Sequence, residues 1–169
     1  MKISDTYEED QFYQALREVD PSYTEEVVAK LKKELREHLK VFYTIVGIAQ
    51  ELKENGYILG IISNHSKFWF DYFMERYQLE DIFSWNSIII PSCLVHLDKP
   101  DVQIYQCTFD RVKLIDNTIK QNNIVFIDDK VRNTIPASQF GFKTIHFQSS
   151  TQSSTILREQ LKQFNVKIY

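Results

Sequence analysis

The chain has 169 residues, 43% hydrophobic and 25% charged, which suits one globular domain with room for a full core. Its net charge of −3 supplies no bulk attraction for nucleic acid or an anionic membrane, and no apolar run approaches the length of a membrane span. Four glycines leave no Gly-rich phosphate loop, and Cys93 and Cys107 have neither disulfide-framework nor metal-site spacing, so a reduced, cytoplasmic protein is expected.

No signal peptide opens the chain, since Met1-Lys2-Ile3-Ser4-Asp5 leads directly into acidic sequence. Tyr7, Phe12, Ala15, Leu16 and Val19 recur at near-helical spacing, and Asp20-Pro21 stops that element. Ser22-Tyr23-Thr24-Glu25 reads as a capping box for a second helix, whose stripe is Val27, Val28, Leu31, Leu35 and Leu39. A third helix carries Ile45, Ile48, Ala49 and Leu52 and ends at Asn55-Gly56. The first fifty-five residues are thus predicted helical, with no strand before them.

From Tyr57 the period changes. Residues 57–62 form a predicted buried strand ending at Ser63-Asn64, and residues 66–77 an aromatic helix whose stripe reads as core. Ser87-Ile88-Ile89-Ile90 is a second strand, closed by Pro91, and a loop through Lys99-Pro100 leads into a helix with Ile104, Tyr105, Phe109 and Val112. Asp116-Asn117-Thr118 falls inside helical sequence. Ile124-Val125-Phe126-Ile127 reads as a strand buried on both faces, running into Asp128-Asp129. Residues 130–139 are helical with Gly141 as the stop, 143–147 are an outer strand, and Ile156, Leu157, Leu161 and Phe164 mark a last helix. Strands alternating with helices give parallel βαβ units in an α/β fold.

Ligands of such sheets bind outside the carboxyl ends of the strands, and three features fall there. Ser63-Asn64 offers a hydroxyl and an amide beside a helix N-terminus, Lys99 a cation, and Asp128 with Asp129 two carboxylates. Adjacent carboxylates repel, and a hard divalent ion, Mg²⁺ before Ca²⁺, is the natural neutraliser; a helix N-cap is the structural alternative. Hydroxyl and lysine for a phosphate, with carboxylates for Mg²⁺, is an arrangement suited to phosphoryl transfer. His38, His96 and His146 form no ligand pair by spacing; His65 follows Ser63-Asn64 closely enough to touch a substrate, but a solvent-exposed histidine is the favoured reading.

In this order and context the chain resembles the haloacid dehalogenase-like (HAD) hydrolase superfamily from about Val41 to Phe147. Leu59-Gly60-Ile61-Ile62-Ser63-Asn64 is similar to the motif whose Ser or Thr holds the transferred phosphoryl group. Lys99-Pro100-Asp101 looks like the region of the phosphate-binding lysine. Phe126-Ile127-Asp128-Asp129, with Asn133 following, looks like the acidic Mg²⁺-binding motif. The resemblance implies a Rossmann-like three-layer fold with a mostly parallel sheet in residues 41–169, and a helical cap-like segment in residues 1–40. It further implies a Mg²⁺-dependent phosphatase of a small phosphorylated metabolite, with Ser63 and Lys99 in the catalytic set, Ser63, Asn64 and Lys99 on the substrate, and Asp128 and Asp129 on the metal.

One departure accompanies the resemblance. Family members open with a central strand ending in Asp-x-Asp, the source of the covalent nucleophile, and this sequence lacks it. Asp5 has no apolar strand before it and no second Asp after it. Autonomous turnover is therefore not expected, and the alternative is a non-catalytic phosphate- or metal-binding or protein-interaction domain. Without that first strand, residues 57–62 and 124–128 must pair directly or leave backbone groups unpaired. Asn165–Tyr169 could fill the place or form an edge strand or frayed tail, and a homodimer or complementing polypeptide is the partner expected.

Overall fold

The computed structural model describes residues 8–83 and 87–169; Asp5 and Tyr7 lie outside the described residues. Three helices come first: α1 (Glu9–Val19), α2 (Glu25–His38) and α3 (Tyr43–Glu54). The N-cap of α2 is Thr24, whose hydroxyl accepts from the Val27 N–H, rather than Ser22. The Ser22 N–H is already bound to the Asp20 carboxylate at 2.9 Å, which delays the start of the helix. Ion pairs tie α1 to α2, Arg36–Glu9 at 2.5 Å and Lys32–Asp10 at 2.7 Å. Gly56, at φ +83°, ends the third helical stretch as its sequence predicts.

Strand β1 (Gly60–Ser63) is followed by α4 (Lys67–Arg76), β2 (Ile88–Pro91) and a short helix α5 (Ser92–Val95) that the sequence did not announce. β1 is three residues shorter at its start than predicted. Tyr57 leaves α3 with its N–H on Leu52 O and its hydroxyl on the Lys167 N–H, so it joins no ladder. A Cβ at Gly60 would lie 2.9 Å from Ile88 O, so this close approach of β1 to β2 requires glycine. The aromatic residues of α4 are half-buried, with only Met74 fully covered, and they meet Phe12, Tyr43 and Arg36 of the preceding helices.

Next come α6 (Val102–Ile115), β3 (Val125–Asp128), α7 (Val131–Phe140), β4 (Lys143–His146) and α8 (Ser154–Gln163). Asp116 lies just past α6, not inside a helix: its carboxylate accepts from the Thr118 N–H and hydroxyl at 2.8 and 2.7 Å, an Asx turn that ends the element.

All pairing among the described residues is parallel, in two two-stranded sheets, β1–β2 and β3–β4. No described strand lies between β1 and β3. The bonds Ile88 N–H to Leu59 O, Lys143 N–H to Ile124 O and Phe147 N–H to Asp128 O show which residues face the paired side. By alternation, the backbone of Gly60, Ile62, Val125 and Ile127 faces the open edges. β3 is consequently not buried on both faces, and Ile127 remains 37% exposed.

Two cores bridge the sheets and define three layers. Ile88, Ile90, Ile104, Tyr105, Phe126 and Ala137 pack α6 and α7 on one face, with Ile62 against them. Ile48, Leu52, Ile145, Leu157, Leu161 and Ile168 pack α3 and α8 on the other, with Leu59 and Val125 against them. Residues 165–169 are neither a strand nor a frayed tail. Ile168 is buried, Asn55 Nδ2 donates to Lys167 O at 3.0 Å, and the Tyr169 N–H donates to Glu51 at 2.6 Å. The apolar pocket over α3 and α8 outweighs any gain from edge pairing.

Candidate functional site

Strand ends and the loops after them bring Ser63, Asn64, Lys99 and Asp128 together. Ser63 closes β1 opposite Pro91 of β2. Asn64 Oδ1 accepts from the Lys99 N–H at 2.9 Å while its Nδ2 donates to Lys99 O at 2.8 Å, so its amide holds the lysine loop. Lys99 Nζ donates to Ile62 O and to Asp128 Oδ2, each at 2.7 Å. One ammonium thus spans the open edge between β1 and β3.

Asp128 is 8% exposed and saturated with donors. Besides Lys99, its Oδ1 receives the Lys130 N–H at 2.9 Å and Asn133 Nδ2 at 2.8 Å. Burial pushes this carboxyl up, but the Lys99 hydrogen bond and charge, the Lys130 N–H and the Asn133 amide outweigh it and hold it below the ordinary carboxylate range. Asp129, by contrast, is exposed. Its carbonyl oxygen lies 3.0 Å from His146 Nε2.

The two adjacent aspartates therefore part company: Asp128 is paired with a lysine, and Asp129 is exposed. Asn133 Oδ1 is buried without a partner and is a further oxygen beside Asp128. Yet no three His, Cys, Asp or Glu side chains converge among the described residues. The described donors do not by themselves complete the shell of a divalent cation, and Lys99 already pairs with Asp128 Oδ2 at 2.7 Å.

His65 is half-buried rather than solvent-exposed, packed at 5.8 Å from the Phe73 ring. Burial lowers its pKa, and the positive charges of Lys99 and Lys130 lower it further. Their field therefore reaches the turn that leads from β1 into α4, where the first N–H groups of the helix receive no side-chain cap from Ser66. An anion is the ligand such a turn accepts. Behind the site, burial and the Asp128 charge push the Tyr105 hydroxyl up to about 12, so it stays protonated and donates to Asn133 O at 2.8 Å.

Sequence reasoning named Ser63, Asn64, Lys99, Asp128, Asp129 and Asn133 and noted that His65 is near enough to touch a substrate, but it did not name the backbone of Lys130. Its assignment of His65 to solvent overlooked Phe73, eight residues on and two turns down the next helix. Among the described residues the site contains no carboxylate nucleophile, and Asp5 lies outside them.

Residues 2–147 match the family model described as haloacid dehalogenase-like hydrolase. The bifunctional epoxide hydrolase 2 of Sus scrofa is 29% identical over 133 residues, 76% of this chain and 22% of that protein. That of Rattus norvegicus is 34% identical over 101 residues, 57% of this chain and 17% of that protein. The chain thus spans about a fifth of the length of these curated relatives. A dehalogenase solved with an intermediate complex superposes with a TM-score of 0.63 at 22% identity, over 85% of this chain and 62% of that one. An uncharacterised protein from Corynebacterium glutamicum superposes with a TM-score of 0.54 at 18% identity, over 73% of this chain and 82% of that one. Both structures share its fold, and with a family model matching residues 2–147 the chain belongs to the haloacid dehalogenase-like hydrolases.

Proposed function

We propose that this domain recognises a small phosphorylated metabolite at the ends of β1 and β3, as the binding part of a Mg²⁺-dependent phosphomonoesterase of the HAD type. The observation that carries the reading is Lys99, whose ammonium is fixed 2.7 Å from both Ile62 O and Asp128 Oδ2 at the mouth of the open edge. A phosphoryl group there would meet Lys99, the Ser63 hydroxyl and the uncapped start of α4. Asn64 acts through Lys99, by holding its backbone. Residues 1–40 are read as the cap over this mouth. Mg²⁺ would call on Asp128 and Asp129, and since the described donors do not complete its shell, no step is routed through it.

Hydrolysis by this route needs an attacking carboxylate, which the described residues do not supply. The absence of an attacking carboxylate among the described residues, together with the edges of β1 and β3 that no described strand covers, favours a further strand between them, which a second copy or another polypeptide could supply. A second reading, a non-catalytic binding domain, is favoured by the direct Lys99–Asp128 pair, which already balances the site's charge. The names of the relatives suggest epoxide opening or dehalogenation, but no residue here favours either over phosphate.

The test has two arms. Titration of the purified chain with inorganic phosphate, followed by amide NMR, is expected to shift Ser63, His65 and Lys99 and to fail in Lys99→Ala; unmoved signals would sink phosphate recognition. Hydrolysis of an aryl phosphate with and without Mg²⁺, beside Asp129→Ala, is expected to show no turnover by the chain alone. Mg²⁺-dependent turnover would instead reveal a nucleophile within it, with Asp5→Asn the next variant.

A further inference from the structure

A second concave surface lies between α2 and α4, a cavity of about 690 Å³. Lys32, Lys33, Arg36 and Lys40 line it from one side and Arg76 from the other, against the single carboxylate of Glu37. This sign opposes the net charge of −3 carried by the whole chain. Lys32 and Arg36 are held from behind by Asp10 and Glu9, which fixes their position. Lys33 reaches Glu37 only at 3.9 Å, and among the described residues Lys40 and Arg76 have no carboxylate within 4.0 Å. Clustered like charges in a concave wall repel one another and focus a positive potential, which Asp10, Glu9 and Glu37 offset only in part.

The groove also presents rings. Tyr72 and Tyr77 line it, with the Arg36 guanidinium 5.6 Å from the Tyr72 ring and that of Arg76 5.9 Å from the Tyr77 ring. Tyr77 is rigid: its hydroxyl donates to Leu39 O at 2.8 Å and its ring stacks on Phe73 at 5.9 Å. Fixed tyrosine faces beside guanidinium groups favour a flat π-system carrying negative charge.

We infer that the groove between α2 and α4 binds a small polyanion with a planar ring, of the nucleotide class, at a site separate from the strand ends. α4 links the two places. At a rise of about 1.5 Å per residue, Tyr72 and Arg76 lie roughly 9 and 15 Å beyond Ser66 along the helix. A long polyanion fits less well, because the basic surface is bounded by two helices on an otherwise acidic chain.

The test is calorimetric titration of the full chain with ADP in the presence of a chelator. ADP is expected to bind, to weaken with added salt, and to lose about tenfold or more in affinity in Lys40→Glu/Arg76→Glu. Lys40→Ala repeats the measurement if the double variant does not melt cooperatively. Lys99→Ala is expected to leave ADP binding intact, which separates this site from the one proposed for phosphate. The inference is overturned by no ADP binding at millimolar concentration, by binding indifferent to the double variant, or by binding lost in Lys99→Ala. Pyrophosphate binding as tightly as ADP, or a single-stranded oligonucleotide binding more tightly, would overturn it too.

Discussion

The side-chain amide of Asn64 closes a two-bond ring on the backbone of Lys99, accepting its N–H at 2.9 Å and donating to its C=O at 2.8 Å. A residue read from the sequence as a substrate ligand thus serves as a clamp, and the two are 35 positions apart. Asn64→Ala is expected to cost about 1–2 kcal/mol in urea unfolding, the net of two partly exposed hydrogen bonds. Asn64→Asp keeps the acceptor and is expected to recover part of that loss. Unchanged stability in Asn64→Ala would mean that the loop holds itself.

Removing the other end of the lysine is more severe. Lys99→Met leaves the Asp128 carboxylate buried without its cation, at a cost of about 3–5 kcal/mol. The double variant Lys99→Met/Asp128→Asn is expected to be more stable than Lys99→Met, since a neutral amide needs no counter-charge. Additive losses in that cycle would show the pair to be uncoupled.

Asp128 titrates below the ordinary carboxylate value when folded. Its contribution to stability is therefore complete above the unfolded value of about 3.9 and is lost as the pH falls through the lower folded value. Thermal unfolding of Asp128→Asn is expected to show a shallower acid slope below about pH 4 than the parent chain. An identical slope would place the acid sensitivity elsewhere.

His65 works in the opposite charge sense but in the same direction along the pH axis. Its folded pKa is depressed, so the unfolded chain gains a proton first. Stability is full above the unfolded value of about 6.5 and falls below it until the folded pKa is reached. His65→Gln is expected to flatten that segment, and the His65 ring signals are expected to titrate below about 6.5. Titration at or above that value would contradict the burial described here.

The C-terminal residues contribute to the core. Ile168 is 4% exposed against α3 and α8, and Ile168→Ala is expected to cost about 2–4 kcal/mol in denaturant unfolding. A cost below about 0.5 kcal/mol would mean that the tail is not docked in solution.

Local signals made much of this fold legible. The Ile88-Ile89-Ile90 run, the Asn55-Gly56 and Gly141 stops and the stripes of α3 and α8 each act over a few residues, and each appears where expected. What escaped was set by distant partners. The exposure of Ile127 goes with a strand that has one neighbour among the described residues, which its apolar run does not encode. Tyr57 left its strand for Lys167, 110 positions away, and the tail docked on Glu51 from 118. At the site the residue types were legible, but their pairing was not: nothing local shows that Lys99 stands beside Asp128, 29 positions on.

The edges of β1 and β3, which no described strand covers, lead to an unusual expectation for amide exchange. In an ordinary sheet the central strands are the last to trade hydrogen for deuterium and the margins the first. Here Ile90 and Ile145 lie in the paired ladders and buried, while the N–H groups of Ile62, Val125 and Ile127 face the middle, where no described strand receives them. Protection should therefore run from the outside in, with slow margins around a fast centre. A strand entering between β1 and β3 would reverse that order, so the exchange rate of these three amides reports directly whether the centre is filled.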